Sequence, residues 1–128
     1  MSYYFNKILK TSFDETIIIL TEALRKEGFG ILTEIDVQAT LKKKLDVDFR
    51  KYKILGACNP PFAYKALQAE DKIGLLLPCN FIVQETTDGS VEVAAIDPLE
   101  YMQTVKNKNL VEIAAEVQQK LKNVIESL

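Results

Sequence analysis

The sequence predicts a single α+β domain, because segments that look like strands are interspersed with segments of helical periodicity. Two observations support this prediction. Aromatic and β-branched residues cluster in short stretches of strand length, whereas the intervening stretches repeat apolar residues at helical spacing and begin at capping residues. No linker, low-complexity tract or internal repeat interrupts the 128 residues, so we expect one domain spanning residues 1–128.

The first half contains two predicted strand–helix pairs. Ser12 and Glu15 form a capping box ahead of apolar residues at helical spacing, and this helix stops before Gly28. Asp36 has the position of an N-cap for a second helix, which carries a lysine cluster. In order, the predicted elements are a strand, a helix, a strand and a helix over residues 3–10, 13–27, 31–35 and 37–45.

The second half continues this pattern and ends in helices. Asn59, followed by a proline at the first helical position, forms a standard helix start. Asp97 begins a short helix in the same way, and Asn109 is predicted to cap the last helix, with Glu112 at its third position. Ahead of these C-terminal helices we predict a strand, a helix, an apolar stretch and a further strand over residues 52–57, 60–69, 73–77 and 81–86.

The strand over residues 81–86 enters a hairpin whose register follows from counting. A two-residue loop would place Glu85 opposite Glu92, which sets like charges side by side. A three-residue loop over residues 87–89 instead places Val83 opposite Val93 and puts Gly89 at the left-handed position that such loops need. We therefore predict the three-residue loop.

The last helix carries an apolar stripe that steps by four and three residues alternately. Two interpretations are open: the stripe packs across the protein's own sheet, or it forms the seam of a coiled-coil dimer. Packing on the sheet is the more common use of such a stripe. Its members are Leu110, Ala114, Val117, Leu121, Val124 and Leu128.

Composition and charge exclude several classes of protein. Hydrophobic residues make up 48% and charged residues 27% of the chain, which are ordinary values for a globular domain. The formal net charge is −2 with both signs scattered, so we expect no nucleic-acid partner. No segment resembles a signal peptide or a membrane span, and we therefore expect a cytoplasmic protein with reduced cysteines and no membrane association.

The residue inventory also limits the chemistry. The chain has no histidine, which removes histidine-based triads and the commonest zinc ligand. Two cysteines cannot complete a structural zinc site within one chain, and neither a P-loop nor a dinucleotide fingerprint is present. We expect no metal and no cofactor.

The unusual chemistry lies in two Cys-Asn dipeptides, Cys58-Asn59 and Cys79-Asn80. Cys58 precedes a predicted helix start, where the helix dipole tends to lower a thiol pKa. Cys79 follows a proline, which marks a strand start, an edge or a bulge. The functional interpretation brings both dipeptides into one concave site. The structural alternative is that the cysteines are buried filler, with Asn59 a cap and Asn80 satisfying nearby backbone groups.

Four segments resemble the uncharacterised prokaryotic family called domain of unknown function 302. The resemblance runs in order along nearly the whole chain and departs nowhere from the family pattern. It implies an α+β fold similar to the TATA-box-binding-protein type, in which a curved, mainly antiparallel sheet is packed on one face by helices, commonly as dimers. The family has no established activity. The matching segments are residues 28–37, 54–60 with Ala63-Tyr64, 75–80 and 95–98.

Three functions compete on this basis. We rank first a non-catalytic domain that binds a small molecule between Phe62, Tyr64 and residues 73–77, with the two Cys-Asn dipeptides as polar anchors. The second is a thiol-dependent enzyme or redox sensor with Cys58 as the nucleophile and Cys79 as its resolving partner. The third, compatible with the first, is an assembly domain that forms a homodimer through the last helix or a sheet edge.

Overall fold

Five antiparallel strands form one sheet in the order β1-β5-β4-β3-β2. The coordinates are a computed structural model that describes residues 2–128. Each strand begins where aromatic or β-branched residues predict it, within a few residues. The strands are β1 Tyr4–Leu9, β2 Gly30–Asp36, β3 Tyr52–Cys58, β4 Cys79–Glu85 and β5 Val91–Ile96.

The helices follow the predicted order, and the predicted α+β class is confirmed. The apolar stretch predicted before β4 is a 3₁₀ helix, Asp71–Leu76, and a second short 3₁₀ turn, Gln103–Val105, follows α4. In residues 2–128 no helix is both long enough and apolar enough to cross a membrane. The α-helices are α1 Phe13–Lys26, α2 Val37–Leu45, α3 Pro60–Ala69, α4 Pro98–Met102 and the long C-terminal α5 Lys108–Ser127.

One face of the sheet is buried under helices α1 and α5. Leu55 pairs with Phe81 in the sheet register, and both side chains are fully buried. They pack in one apolar cluster with Leu24 of α1 and Leu121 of α5. The opposite face, which we call the open face, carries the alternate residues of each strand, because successive side chains of a strand point to opposite sides.

The predicted hairpin register is confirmed between β4 and β5. Val83 lies opposite Val93, and Gln84 lies opposite Glu92. Thr86 donates to the carbonyl of Ser90 across the three-residue loop. Gly89 has a φ of +85°, the left-handed conformation that this loop requires.

The apolar stripe of α5 packs inside its own chain. Leu110, Leu121 and Val124 are fully buried, and Ala114 is nearly so. The prediction that this stripe covers the protein's own core is therefore confirmed, and the stripe is not available as a coiled-coil seam.

The predicted cap of α5 is wrong by two residues. Asn107, not Asn109, is the N-cap, and its side chain accepts a hydrogen bond from the Asn109 backbone amide. The Asn107 side chain also donates to the carbonyl of Ala69 at the end of α3. Asn107 thus forms side-chain hydrogen bonds at the start of α5 and at the end of α3, which favours it over Asn109 as the cap. The caps predicted at Ser12, Asp36 and Asp97 are confirmed.

Candidate functional site

A cavity of about 330 Å³ lies where the ends of β3 and β4 meet helices α3, α4 and α5. Its floor includes Ala57 and Cys79, which are paired across β3 and β4. Phe62 of α3, Met102 of α4 and Ala114 of α5 contribute to its walls. Short side chains line part of the space, namely Ala63 and Ala66 of α3 and Ala114 of α5.

The lining is almost entirely carbon. Among residues 2–128, no charged side chain lines the cavity. Its polar groups are the thiols of Cys58 and Cys79, the hydroxyl of Tyr101 and the amide of Asn59. Leu32 and Leu67 belong to the lining and are also largely exposed, at 68% and 46%, so they mark the mouth.

The two cysteines are free thiols in different environments. Cys58 is partly exposed and Cys79 is buried. Burial raises the pKa of the Cys58 thiol, so the lowered pKa expected from the start of α3 is wrong: loss of solvation disfavours the thiolate. Burial also raises the pKa of Cys79, and this effect outweighs the lowering by the hydrogen bond with Tyr101. Both thiols are therefore protonated near neutral pH.

Tyr101 of α4 contributes its hydroxyl to the cavity lining. Its hydroxyl is 3.8 Å from the Cys79 sulfur, a long hydrogen bond in which either group can donate. Burial, with contributions from Cys79 and the Asp97 carboxylate, raises the pKa of the Tyr101 phenol well above its ordinary value. The phenol stays neutral throughout the physiological range.

Asn59 plays a structural part that differs from the predicted one. It occupies the N-cap position of α3, but its side chain makes no capping hydrogen bond. Instead its amide nitrogen donates to the carbonyl of Glu27, 3.2 Å away, just after α1. The side chain is 8% exposed and lies against Gly28. The chain turn at Gly28 leaves the Glu27 carbonyl without a helical partner, and Asn59 supplies one.

The structure does not bring all the predicted site residues together. Cys58, Asn59 and Cys79 line the cavity with Phe62, whereas Asn80 points to the open face of the sheet. Cys79 and Asn80 are adjacent residues of β4, and their side chains point to opposite faces of the sheet. Tyr64 is 66% exposed on α3 and lies outside the cavity lining.

Sequence reasoning missed Tyr101 and the contribution of α5. Tyr101 lies four residues after the Asp97 cap. The sequence therefore predicted the helix that carries Tyr101, but not the direction in which its side chain points. One signal was available on α5: small Ala114 interrupts a stripe of larger residues, and a small residue on a buried face often borders a space.

Comparison with known proteins matches this chain to uncharacterised relatives. An uncharacterised protein from Aquifex aeolicus (strain VF5) is 30% identical over 94 residues, which cover 73% of this chain and 59% of that protein. The match thus spans well under two thirds of the relative's length. A crystal structure of an uncharacterised conserved DUF302 protein from Bacillus stearothermophilus superimposes with a TM-score of 0.91 at 29% identity, covering 98% of each chain.

The family assignment rests on the sequence match as well as on the fold. The family model for the domain of unknown function DUF302 matches residues 5–128, which is nearly the whole chain. The resemblance drawn from the Cys-Asn segments is thereby confirmed. This chain belongs to the DUF302 family, whose function is unknown.

Proposed function

We propose that this domain binds a small, neutral, largely apolar molecule in the cavity beside Cys79, without transforming it. The observation that carries the proposal is an open-mouthed cavity of about 330 Å³ with a nearly all-carbon lining and a few polar groups. Small-molecule sites typically have this combination of apolar walls and sparse polar groups. A core selected for packing alone would leave fewer and smaller voids.

The volume sets the size of the ligand. An apolar protein cavity of about 150 Å³ takes up benzene. If the number of ligand atoms scales with cavity volume, a cavity of about 330 Å³ accommodates a molecule on the order of 12 non-hydrogen atoms.

The lining sets the charge of the ligand. A carboxylate or an ammonium group transferred into this carbon-lined space would lose its hydration without gaining a charged partner. An uncharged ligand avoids that cost and gains from the removal of its apolar surface from water. We therefore expect neutral molecules to bind and their charged analogues of equal size to be rejected.

A thiol-dependent enzyme has less support. A nucleophilic cysteine needs an accessible thiolate, but burial raises the pKa of both thiols, and Cys79 is buried. No histidine is present in the sequence to act as a base. These features favour thiols that contact a ligand over thiols that attack one.

Filling the cavity tests the proposal. Ala114 lines the cavity and is 2% exposed, whereas its neighbour Ala115 is exposed on the same helix. Ala114→Leu and Ala115→Leu therefore add the same atoms at a lining and a non-lining position. Each variant is titrated with acetophenone, a neutral probe, and with benzoate, a charged probe of the same size, while protein methyl signals are followed by NMR.

We expect wild-type protein and Ala115→Leu to bind acetophenone with similar affinity and to ignore benzoate. Ala114→Leu should weaken acetophenone binding at least tenfold, equivalent to about 1.4 kcal/mol. Its melting temperature serves as a folding check, because filling a void leaves stability unchanged or raised. Equal acetophenone affinity in a folded Ala114→Leu, or no binding to the wild type, contradicts the proposal.

Self-association through the open face is a second candidate, compatible with the first. A polar row crosses this face: Asn6 donates to Glu92, Gln84 donates to Glu92, and Arg50 donates to Gln84. Gln84 lies on β4, the central strand, so the acidic and basic ends lie on opposite sides of the centre.

That arrangement is self-complementary. A two-fold axis that runs along β4 between two such faces places Arg50 of each copy over Glu92 of the other. Large side chains on the same face, Tyr4, Ile8 and Ile35, are 38%, 51% and 49% exposed and would be covered by this contact.

A further inference from the structure

The Tyr101 hydroxyl is a strong hydrogen-bonding group of the cavity whose recorded side-chain partner is a weak one. Its hydroxyl contacts the Cys79 sulfur at 3.8 Å, and a thiol is a weak donor and a weak acceptor. The Asn59 amide, by contrast, is held against Gly28 by one hydrogen bond, from its nitrogen to the Glu27 carbonyl. The phenol therefore retains capacity for a further hydrogen bond.

The hydroxyl faces the cavity and not a second depression, which is lined by residues 75–78 with Asn80, Ile96 and Tyr101. Tyr101 borders both spaces, but Cys79 lines only the cavity. The hydroxyl approaches the Cys79 sulfur, so it lies on the cavity side of its own ring.

Protonation leaves both the Cys79 thiol and the Tyr101 phenol with a hydrogen to donate. Burial raises the pKa of the Cys79 thiol and of the Tyr101 phenol, so both carry a proton near neutral pH. The Cys79 S–H can donate to the Tyr101 oxygen, which leaves the phenol O–H free to donate in turn. A donor at the end of a carbon-lined space favours a ligand with an acceptor at that end.

We propose that the Tyr101 hydroxyl is the specificity-determining group of the cavity and that the ligand is a neutral carbonyl compound with an apolar body. The carbonyl oxygen accepts from Tyr101 while the rest of the molecule contacts the walls, such as Phe62 and Val117. This inference rests on the proposed binding function and adds the chemical class of the ligand.

A pair of probes with the same shape tests the inference. Acetophenone and α-methylstyrene differ in one position, where a carbonyl oxygen is replaced by a methylene group. Both are titrated into the wild type, into Tyr101→Phe and into Tyr64→Phe, with affinities measured by NMR. Tyr64→Phe is the matched control, because Tyr64 is exposed and lies outside the lining.

We expect Tyr101→Phe to weaken acetophenone binding about fivefold, the effect of one neutral hydrogen bond. The same change should alter α-methylstyrene binding by less than about twofold, and Tyr64→Phe should alter neither. An equal effect of Tyr101→Phe on both probes would mean that the hydroxyl acts only through packing. The absence of any effect on acetophenone would mean that the hydroxyl does not bind the carbonyl oxygen. Either result overturns the inference but leaves the binding function standing. Failure of both probes to bind wild-type protein overturns the binding function, and the inference with it.

Discussion

The side chain of Asn59 joins two helix ends through one hydrogen bond, from its amide nitrogen to the Glu27 carbonyl at 3.2 Å. Glu27 follows the last turn of α1, and Asn59 immediately precedes α3. Gly28 permits the approach: a Cβ placed there would lie 3.1 Å from the Asn59 nitrogen, and its φ of +86° favours glycine. This contact fixes the β3–α3 junction, and with it the position of Cys58 on the cavity wall.

Removal of that contact should destabilise the fold. Asn59→Ala removes the partner of the part-buried Glu27 carbonyl, so we expect the free energy of unfolding to fall by about 0.5–1.5 kcal/mol. Asn80→Ala is the matched control, because Asn80 is exposed, and it should change stability by less than about 0.5 kcal/mol. Urea denaturation measures both. A larger loss for Asn80→Ala than for Asn59→Ala would contradict the structural role of Asn59.

Stability should fall as the pH rises above the ordinary thiol pKa of about 8.5. The pKa of Cys79 and that of Tyr101 are raised in the folded state, so these groups keep protons that the unfolded chain releases. Their contribution is fully present below the unfolded pKa values and is lost at higher pH. We expect a decline approaching about 1.4 kcal/mol per pH unit for each group titrating in the unfolded chain.

Urea denaturation between pH 7.5 and 10 measures this decline. The Cys79→Ala and Tyr101→Phe double variant is the control, because it removes these two groups and should leave only the smaller decline due to Cys58, whose pKa is also raised by burial. If the free energy of unfolding of the wild type falls no more steeply with pH than that of the double variant, neither group is buried in a neutral form.

Alkylation should distinguish the two cysteines. Cys58 is partly exposed and Cys79 is buried, so iodoacetamide should modify Cys58 first. Because burial raises the pKa of Cys58, its labelling at pH 7 should be slower than that of a model peptide thiol. Saturating acetophenone should slow it further, since Cys58 lines the cavity. Mass spectrometry of the Cys58→Ser and Cys79→Ser variants assigns the labelled sites. Faster labelling of Cys79 than of Cys58 would contradict this prediction.

Charge reversal tests self-association through the open face. If Arg50 of one copy lies over Glu92 of another, Glu92→Arg and Arg50→Glu should each weaken the dimer at least tenfold, and the double variant should recover it. Glu116→Arg, an exposed change on α5, should leave it unaffected. Sedimentation measures the dissociation constants. A wild-type monomer at millimolar concentration removes this candidate.

Local patterns were sufficient to predict most of the fold. The hairpin register could be counted, because like charges at Glu85 and Glu92 exclude one loop and Gly89 favours the other. The cap at Ser12 could be predicted because its partner Glu15 lies within the same turn. In each case the decisive interaction is short-range in sequence or follows from strand pairing.

The candidate site was less predictable because its contacts are long-range in sequence. The Asn59 side chain donates a hydrogen bond to the carbonyl of Glu27, 32 positions away in the sequence. The Asn-Pro pattern, which predicted a capping hydrogen bond within α3, was therefore misleading. Tyr101 meets Cys79 across 22 positions, and no local pattern marks that contact. Asn80 lies just before the predicted strand over residues 81–86, so strand alternation separates it from Cys79 only because β4 begins two residues earlier than predicted.

Intermolecular NOEs between acetophenone and the methyl groups of the protein test the central claim most directly. The account predicts NOEs from the ligand to cavity methyl groups, those of Ala66, Ala114 and Val117. Methyl groups of the open face, such as those of Ile8 and Ile35, should show none. NOEs confined to the open face, or none at saturating ligand, would contradict the claim that this cavity is a binding site.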